Sequence, residues 1–528
     1  MTMRVLISDS VDRACIDVLR DEQCDVQDSP GISPEELKQQ IPAFDALVVR
    51  SRTRVTAEVI EAGSRLKIIG RAGTGVDNIE VAAATRRGIL VLNTPGGNTV
   101  SAAEHTVSLL LSLARKIPQA HVSLVGGSWE RKKFVGTEVQ GKTLGIIGLG
   151  KIGREVAARC RGLGMVVIGY DPVLSPGAAS KEGIEPVDLH GIFRRSDFIT
   201  LHTPLTEETR GLINAESLSS CKRGVRVINC ARGGIVDETA LLDALESGQA
   251  GGAALDVFEE EPPKASPLIG HPRVVVTPHL GASTEEAQEK VAIQIAHAVA
   301  DALHGRSFTG VVNSSVMYMT LQEEVRPFLL LAERLGSLVA QLAAGKLRSV
   351  TVGAAGDVAE SSLGLIKAGV LKGVLSETST DPVNFISAPV LATEKGLAVY
   401  EERGGPGGNY TNSLKVRYEA GGKLKEVEGS VVGRSQIRLT MMDGFRFEVK
   451  PEGHLLIYSN LDKPGILARV GGILSRYEVN IAGVSLGRSE EGGVALTVMN
   501  LDGTIPEKAM AELARVEEAT ELRLVKLD

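Results

Sequence analysis

Lys142-Thr-Leu-Gly-Ile-Ile-Gly148-Leu-Gly150-Lys151-Ile152-Gly153-Arg-Glu-Val156 is a short apolar run that enters a glycine-rich turn and then a helical stretch, and Val166-Val-Ile-Gly-Tyr-Asp171 follows it. The order strand, glycine turn, helix reads as a dinucleotide cradle. Gly148 permits the tight turn, Gly150 lets the backbone approach a pyrophosphate, Gly153 lets the helix pack closely on the strand, and the helix N-terminus attracts the anion. Asp171 lies 171 − 153 = 18 positions past the last glycine, at the end of the next apolar run. A carboxylate there bonds the ribose hydroxyls and repels a 2′-phosphate, so the pattern predicts NAD over NADP.

Working outward, the span from Lys142 to Pro278 holds six strand candidates, at 143–147, 165–170, 197–201, 225–229, 252–256 and 273–276. Six strands with intervening helices make a full dinucleotide-binding sheet. Upstream, residues 3–98 alternate apolar runs (Val5-Leu-Ile, Ala46-Leu-Val-Val, Leu66-Lys-Ile-Ile, Ile89-Leu-Val-Leu) with helical stretches (33–40 and 55–62), which is α/β with a parallel sheet. Val100 to Ala120 reads as one long helix bridging the two units. After Ser283 the apolar positions Ala287, Val291, Ala292, Ile295, Ala296, Val299, Ala300 and Leu303 are helical, and their place suggests a return to the first unit, making it discontinuous. Past about residue 315 come a helix over 328–343, a Gly404-Gly-Pro-Gly-Gly-Asn409 loop and alternating runs near 415–418 and 437–441, a separate α+β module. From 453 the order is βαββαβ, the ferredoxin-like arrangement. The expected domains are 1–98 with 286–316, 99–285, 317–451 and 452–528.

Length and composition agree with such a modular chain. At 528 residues it exceeds one core. A net charge of −7 with no basic tail calls for neither nucleic acid nor an acidic membrane. The five cysteines show no CxxC or Cys/His ligand spacing, which speaks against a disulfide framework and against a metal site. No run has the length of a membrane span, and the N-terminus enters a strand without a signal-peptide pattern, so the expectation is a cytoplasmic enzyme of small-molecule metabolism.

Hydride transfer at a nicotinamide needs a cation for the substrate, a group to move the hydroxyl proton, and something to tune that group. Such groups belong at strand C-termini. Arg232 follows the strand ending at Cys230 and offers a fork to a carboxylate. His279 follows Val274-Val-Val-Thr-Pro278 and titrates near neutrality. Glu261, in the run after Asp256-Val-Phe, can hold that imidazole, although Glu259 and Glu260 compete with it on spacing alone. In the first unit, Arg50 and Ser51, Arg71 and Gly73, and Asn98 follow strands and form a candidate cradle for a phosphate or carboxylate.

Gly148-Leu-Gly-Lys-Ile-Gly153, Asn229-Cys230-Ala231-Arg232-Gly-Gly-Ile-Val-Asp237, Leu255-Asp256-Val-Phe-Glu-Glu-Glu261-Pro262 and Thr277-Pro-His279-Leu280-Gly281-Ala282-Ser283 together resemble the signatures of the D-2-hydroxyacid dehydrogenase family, in its long four-domain branch. The resemblance selects the glutamate before the proline, Glu261, over its two neighbours. It implies a Rossmann domain inserted in a discontinuous flavodoxin-like α/β domain, with an intervening α+β domain and a ferredoxin-like ACT domain after them. It further implies NAD contacts at Thr74, Lys151, Ile152, Asp171, Thr203, Cys230, Ala231, Asp256 and the Leu280-Gly281-Ala282 turn. For that branch it implies oxidation of 3-phosphoglycerate toward serine by a homodimer or homotetramer. Asn460-Leu-Asp462-Lys-Pro-Gly465 and Val479-Asn480-Ile481 resemble ACT signatures, and in serine-regulated relatives residues matching Asn460, Asp462 and Asn480 hold L-serine. Here L-serine inhibition stands beside a purely structural lobe. The intervening module carries no catalytic constellation, and the resemblance makes it an interface or second effector site. Two other readings stay open, a reductase of hydroxypyruvate, glyoxylate or 2-oxoglutarate on the same scaffold, and an NAD-sensing corepressor.

Overall fold

The computed structural model describes residues 2–264, 266–314, 317–379, 382–403 and 410–527. The glycine-rich loop at 404–409 and the expected domain junction at 316 lie outside the described residues or at their edge.

The first unit is a five-stranded parallel sheet of β1 (Arg4–Ile7), β2 (Asp25–Asp28), β3 (Ala46–Val49), β4 (Ile68–Arg71) and β5 (Leu90–Leu92) in the order β2-β1-β3-β4-β5, the flavodoxin-like winding. The edge strand β2 was not expected from sequence. Its Asp-Val-Gln-Asp carries one apolar residue, because an edge strand buries little. The helix Glu285–Leu303 returns to this sheet. Ile295 and Val299 are fully buried, each worth about 1.5–3 kcal/mol of transfer. A Cβ at Gly70 on β4 would meet Val299 at 2.6 Å, so the bare strand lets the helix lie flat.

The second unit is a seven-stranded sheet, β6 (Thr143–Ile147), β7 (Val166–Tyr170), β8 (Glu185–Pro186), β9 (Phe198–Leu201), β10 (Val225–Asn229), β11 (Ala250–Leu255) and β12 (Val274–Val276), ordered β12-β11-β10-β9-β6-β7-β8. All its pairings are parallel, and the order reverses at β6, the Rossmann switch point. The six expected strands are present, and the two-residue β8 is added at the edge.

The single helix expected over 100–120 is broken in two, Thr99–Arg115 and Ile117–Val125, by Lys116 at φ 53°. Pro118 has no N–H to give Ala114, and the Thr137 N–H takes that carbonyl instead, at 2.9 Å. The second helix buries none of its residues, and Val122, Leu124, Val125, Trp129 and Val135 around it are exposed.

The third sheet runs β13 (Leu347–Ala355), β14 (Ala398–Arg403), β15 (Ser413–Ala420), β16 (Lys423–Val432), β17 (Gln436–Met442), β18 (Phe445–Val449) in the order β14-β13-β15-β16-β17-β18. The last sheet has β19 (Gly453–Leu461), β20 (Ile481–Arg488), β21 (Val494–Leu501) and β22 (Ala519–Leu527), ordered β20-β21-β19-β22. Strand alternation divides its faces. Leu456, Tyr458 and Met499 pack under its own helices, whereas Leu455, Ile457, Val498 and Val525 join the core of the preceding module. These two C-terminal modules therefore share one hydrophobic core.

Candidate active site

Because both α/β sheets are parallel, each collects its strand C-termini at one end, and these two ends face each other across a cleft. Its first cavity, about 540 Å³, has Arg50, Ser51, Arg71 and Gly73 on one wall and Asp256, Glu261, His279 and Ala282 on the other. A second, of about 530 Å³, shares Ser51, Arg71, Glu261 and His279 and adds Arg232 and Asp77.

On the Rossmann wall the glycine turn has three distinct geometries. Gly148 has φ 93°, where a side chain is strained, and a Cβ there would meet the His202 carbonyl oxygen at 2.4 Å. A Cβ at Gly153 would meet the Gly148 oxygen at 2.1 Å, whereas one at Gly150 would meet nothing within 4 Å. Close packing on one side and open space on the other suit a pyrophosphate at the N-terminus of the helix Lys151–Gly162. Among the described residues the buried Thr203 hydroxyl has no partner, an unmet polar atom at the same site. Asp171 accepts N–H bonds from Leu149, Val173 and Leu174 at 2.8–3.0 Å. Burial would raise its pKa, but these bonds outweigh it and hold the carboxyl below its ordinary value. The carboxylate expected to face the ribose thus also ties the glycine turn in place. Ile152 sits on the first helical turn beside Lys151, whose Nζ reaches back to the Pro95 carbonyl at 3.4 Å. Cys230 and Ala231 lie at the end of β10, with burial pushing the Cys230 thiol up to about 12 and the Ala231 N–H held by Asn229 at 3.0 Å.

The pair expected to move the proton, His279 and Glu261, is preassembled. His279 Nδ1 lies 2.7 Å from Glu261 Oε2, and Glu261 Oε1 accepts the Phe258 N–H at 3.2 Å. Glu261 raises the His279 pKa above its ordinary value against the opposing effect of burial. Glu260, by contrast, pairs with Lys264, and Glu259 lends its backbone N–H to Glu238. Of the three glutamates, it is Glu261 that meets the histidine. His279 itself is left-handed at φ 54°, a conformation costing about 1–2 kcal/mol for an L-residue. It is held there because Asp256 accepts the two following N–H groups, Leu280 at 2.7 Å and Gly281 at 2.9 Å. Asp256, expected as a cofactor contact, therefore spends most of its acceptor capacity on this turn and keeps one Oδ2 lone pair.

Arg232 gives its Nε to Asp77 Oδ2 at 3.0 Å and an Nη to the Ala231 carbonyl at 2.7 Å. Its bond to Asp77 joins the two α/β units, and part of the expected fork is already engaged. A Cβ at the neighbouring Gly233 would strike the Phe258 carbonyl at 1.7 Å, so glycine lets the Arg232 loop pass against the loop that carries Glu261.

Among the described residues the buried Arg71 Nε has no partner, and burial, with Arg232 and Arg50 nearby, pushes its pKa down to about 10, still cationic at neutral pH. A Cβ at Gly73 would meet the Arg71 guanidinium at 1.8 Å, so the absent side chain leaves the room that guanidinium occupies. Arg50 reaches the Ser10 carbonyl at 3.1 Å while Asp9 accepts its backbone N–H at 2.7 Å.

Two expected contacts also meet each other. The Thr74 hydroxyl donates to Asn98 Oδ1 at 2.8 Å, so Asn98, expected at the substrate, braces the junction between the units. The three residues expected to hold an effector have separate partners. Asn460 is 6% exposed and accepts from Thr497 at 3.0 Å, Asp462 pairs with Arg488 at 2.9 Å, and Asn480 donates to Asp502 at 2.6 Å. On β19 Asn460 is buried between the half-buried Ser459 and the exposed Leu461. Sequence reading missed Asp9, Asp77 and His105, polar residues whose partners lie 41, 155 and 151 positions away. No local spacing reports such contacts.

Fold and cleft together define an NAD-linked oxidoreductase. The chain belongs to the D-isomer-specific 2-hydroxyacid dehydrogenase family, whose NAD-binding domain model matches residues 107–281. Residues 324–443 match the D-3-phosphoglycerate dehydrogenase intervening domain, and residues 454–518 match the ACT domain. The chain is 44% identical over 529 residues to the D-3-phosphoglycerate dehydrogenase of Synechocystis sp., covering 99% of this chain and 95% of that protein. It is 40% identical over 526 residues to the enzyme of that name from Methanocaldococcus jannaschii, covering 99% and 100%. Among solved structures, a Thermus thermophilus protein superposes with a TM-score of 0.55 at 34% identity, covering 59% of this chain and all of that one.

Proposed function

We propose that this chain oxidises 3-phospho-D-glycerate to 3-phosphooxypyruvate with NAD, the entry step of L-serine synthesis. The observation that carries the substrate is the buried, unpartnered Arg71 Nε, facing the His279–Glu261 pair across one cleft with Arg50 beside it. A reductase of the same family accounts for the Arg232, Glu261 and His279 set but not for this cationic wall, and a corepressor accounts for neither.

Arg232 holds the substrate carboxylate, while Arg50, Ser51, Arg71 and the Gly73 loop receive the phosphate. His279 donates Nδ1–H to Glu261, which leaves Nε2, without a partner among the described residues, to take the hydroxyl proton. Glu261 stabilises the imidazolium that forms. Bound NAD would supply the hydride acceptor for the carbon bearing that hydroxyl. The NAD-holding residues are Thr74, Gly148, Gly150, Lys151, Ile152, Gly153, Asp171, Thr203, Cys230, Ala231, Asp256 and the Leu280–Ala282 turn.

The exposed apolar stretch around Ile117–Val125 supports a homodimer or homotetramer, since a patch with Trp129 77% exposed favours burial by a second copy. We divide the chain at 1–98 with 286–316, 99–285, 317–451 and 452–528, a reading that the separation into four sheets supports. Among the described residues no helix is long and apolar enough to cross a membrane, and we place the enzyme in the cytoplasm. For the ACT domain, L-serine inhibition at Asn460, Asp462 and Asn480 is the reading to test against a purely structural lobe.

The test is NADH formation from 3-phosphoglycerate against unphosphorylated D-glycerate, with and without L-serine. Equal kcat/KM for the two acids would overturn the substrate assignment, and rates indifferent to L-serine would leave the ACT domain without that effector.

A further inference from the structure

Beneath the catalytic turn lies a histidine that the reaction above does not use. His105 is on the helix Thr99–Arg115, and its side chain is 19% exposed. Its Nε2 stands 3.1 Å from Asp256 Oδ1 and 3.1 Å from Thr277 Oγ1, while the Thr277 hydroxyl donates to the same Oδ1 at 2.6 Å. A carboxylate oxygen only accepts, so Nε2 carries the proton and the imidazole acts as a donor.

Asp256 is 1% exposed, and a buried carboxylate stays in place only while donors satisfy it. Its donors come from three directions: His105 on the helix, Thr277 at the end of β12, and the Leu280 and Gly281 N–H groups on the far side of His279. The His279 N–H reaches the Asp256 carbonyl at 2.9 Å as well. The backbone of the left-handed His279 is thus tied to Asp256 on both sides, with the Thr277 carbonyl a second neighbour of its N–H at 3.1 Å, and His105 fixes Asp256 from below.

We propose that His105 is a positioning residue for proton transfer: it anchors the Asp256 carboxylate, which clamps the Leu280–Gly281 turn and keeps His279 within reach of Glu261 and aimed into the cleft. The helix that carries it begins at Asn98, beside Thr74, so the anchor starts where the two α/β units join. The proposal rests on His279 being the proton acceptor.

Two substitutions separate the anchoring bond from the space it fills. His105→Gln keeps an N–H donor the same number of bonds from the backbone, and His105→Leu keeps bulk without the donor. Outer partners of this kind change activity by about 10- to 100-fold. The expected result is that His105→Leu lowers kcat for 3-phosphoglycerate oxidation by about that factor, with KM changed less than about threefold, and His105→Gln recovers most of it. Glu261, Asp256, Arg232 and Arg71 are the charged groups around His279. A slackened turn loosens its bond to Glu261, so the acid limb of the rate profile in His105→Leu also moves to lower pH. Thr277→Val, which removes a second donor from the same Oδ1, repeats the shift if His105→Leu does not fold. Leu and Gln variants with the same kcat and the same pH limb would overturn the proposal. His279→Ala run alongside separates the two readings, because unchanged turnover there removes the proton acceptor itself.

Discussion

Replacing Gly150 or Gly153 by alanine adds the same methyl group three residues apart, and the structure assigns the two changes opposite consequences. At Gly153 the new Cβ falls 2.1 Å from a backbone oxygen, against the 3.0 Å below which real Cβ atoms are essentially never seen, so 3.0 − 2.1 = 0.9 Å must come from moving the helix Lys151–Gly162 off β6. Overpacking of that kind costs about 1–3 kcal/mol. For a domain of this size that is roughly 2–12 °C of melting temperature. At Gly150 the backbone has φ −68° and ψ −167°, an extended conformation alanine adopts, and nothing lies within 4 Å. Gly150→Ala therefore melts like the parent protein. Its methyl group instead occupies the space kept for the pyrophosphate and disturbs a charge-assisted backbone bond worth about 1.5–3 kcal/mol. That is roughly a 10- to 150-fold weaker Kd for NAD. Thermal melting without cofactor and NAD titration by calorimetry measure the two effects separately. If Gly150→Ala bound NAD as the parent does, or melted early while Gly153→Ala did not, the assignment of the turn to a pyrophosphate would be refuted.

Glu261→Gln removes the charge that raises the His279 pKa, so the rise of oxidation rate with pH shifts to lower pH, and initial rates fall by about 10- to 100-fold. Arg71→Met raises KM for 3-phosphoglycerate by at least about tenfold, as expected for losing a charged hydrogen bond, and leaves kcat/KM for D-glycerate nearly unchanged. His202, half-buried and held neutral with its pKa pushed down to about 4 by burial, is refused a proton by the fold that the unfolded chain accepts below about 6.5. Stability therefore falls from about pH 6.5 toward 4 by up to about 1.4 kcal/mol per pH unit, and denaturant titration of His202→Gln shows a flatter profile over that window.

What the sequence determined alone was whatever is carried by local spacing. The order of apolar runs sets the sheets, the interval from Gly148 to Gly153 sets the turn, and the place of Arg232, Glu261 and His279 after strands puts them at one end of a parallel sheet. Glu261 needed the family resemblance, since three consecutive glutamates have the same composition and differ only in which one the loop turns toward the imidazole. The helix expected over 100–120 shows the limit in the other direction: apolar periodicity continues through Pro118, yet the missing N–H ends the first helix at Arg115.

Tertiary structure decided everything that depends on who meets whom across the chain. Asp256 became the clamp of the catalytic turn, Asn98 a brace for Thr74, and Asn460 an internal support, each by partners brought in by packing. The edge strand β2 and the core shared by the last two modules have the same origin, because an edge strand needs little apolar surface and an alternating strand does not state which neighbour covers each face. Backbone conformation and side-chain period are local and can be read along the sequence; satisfaction of buried charge is settled only where distant segments are packed together.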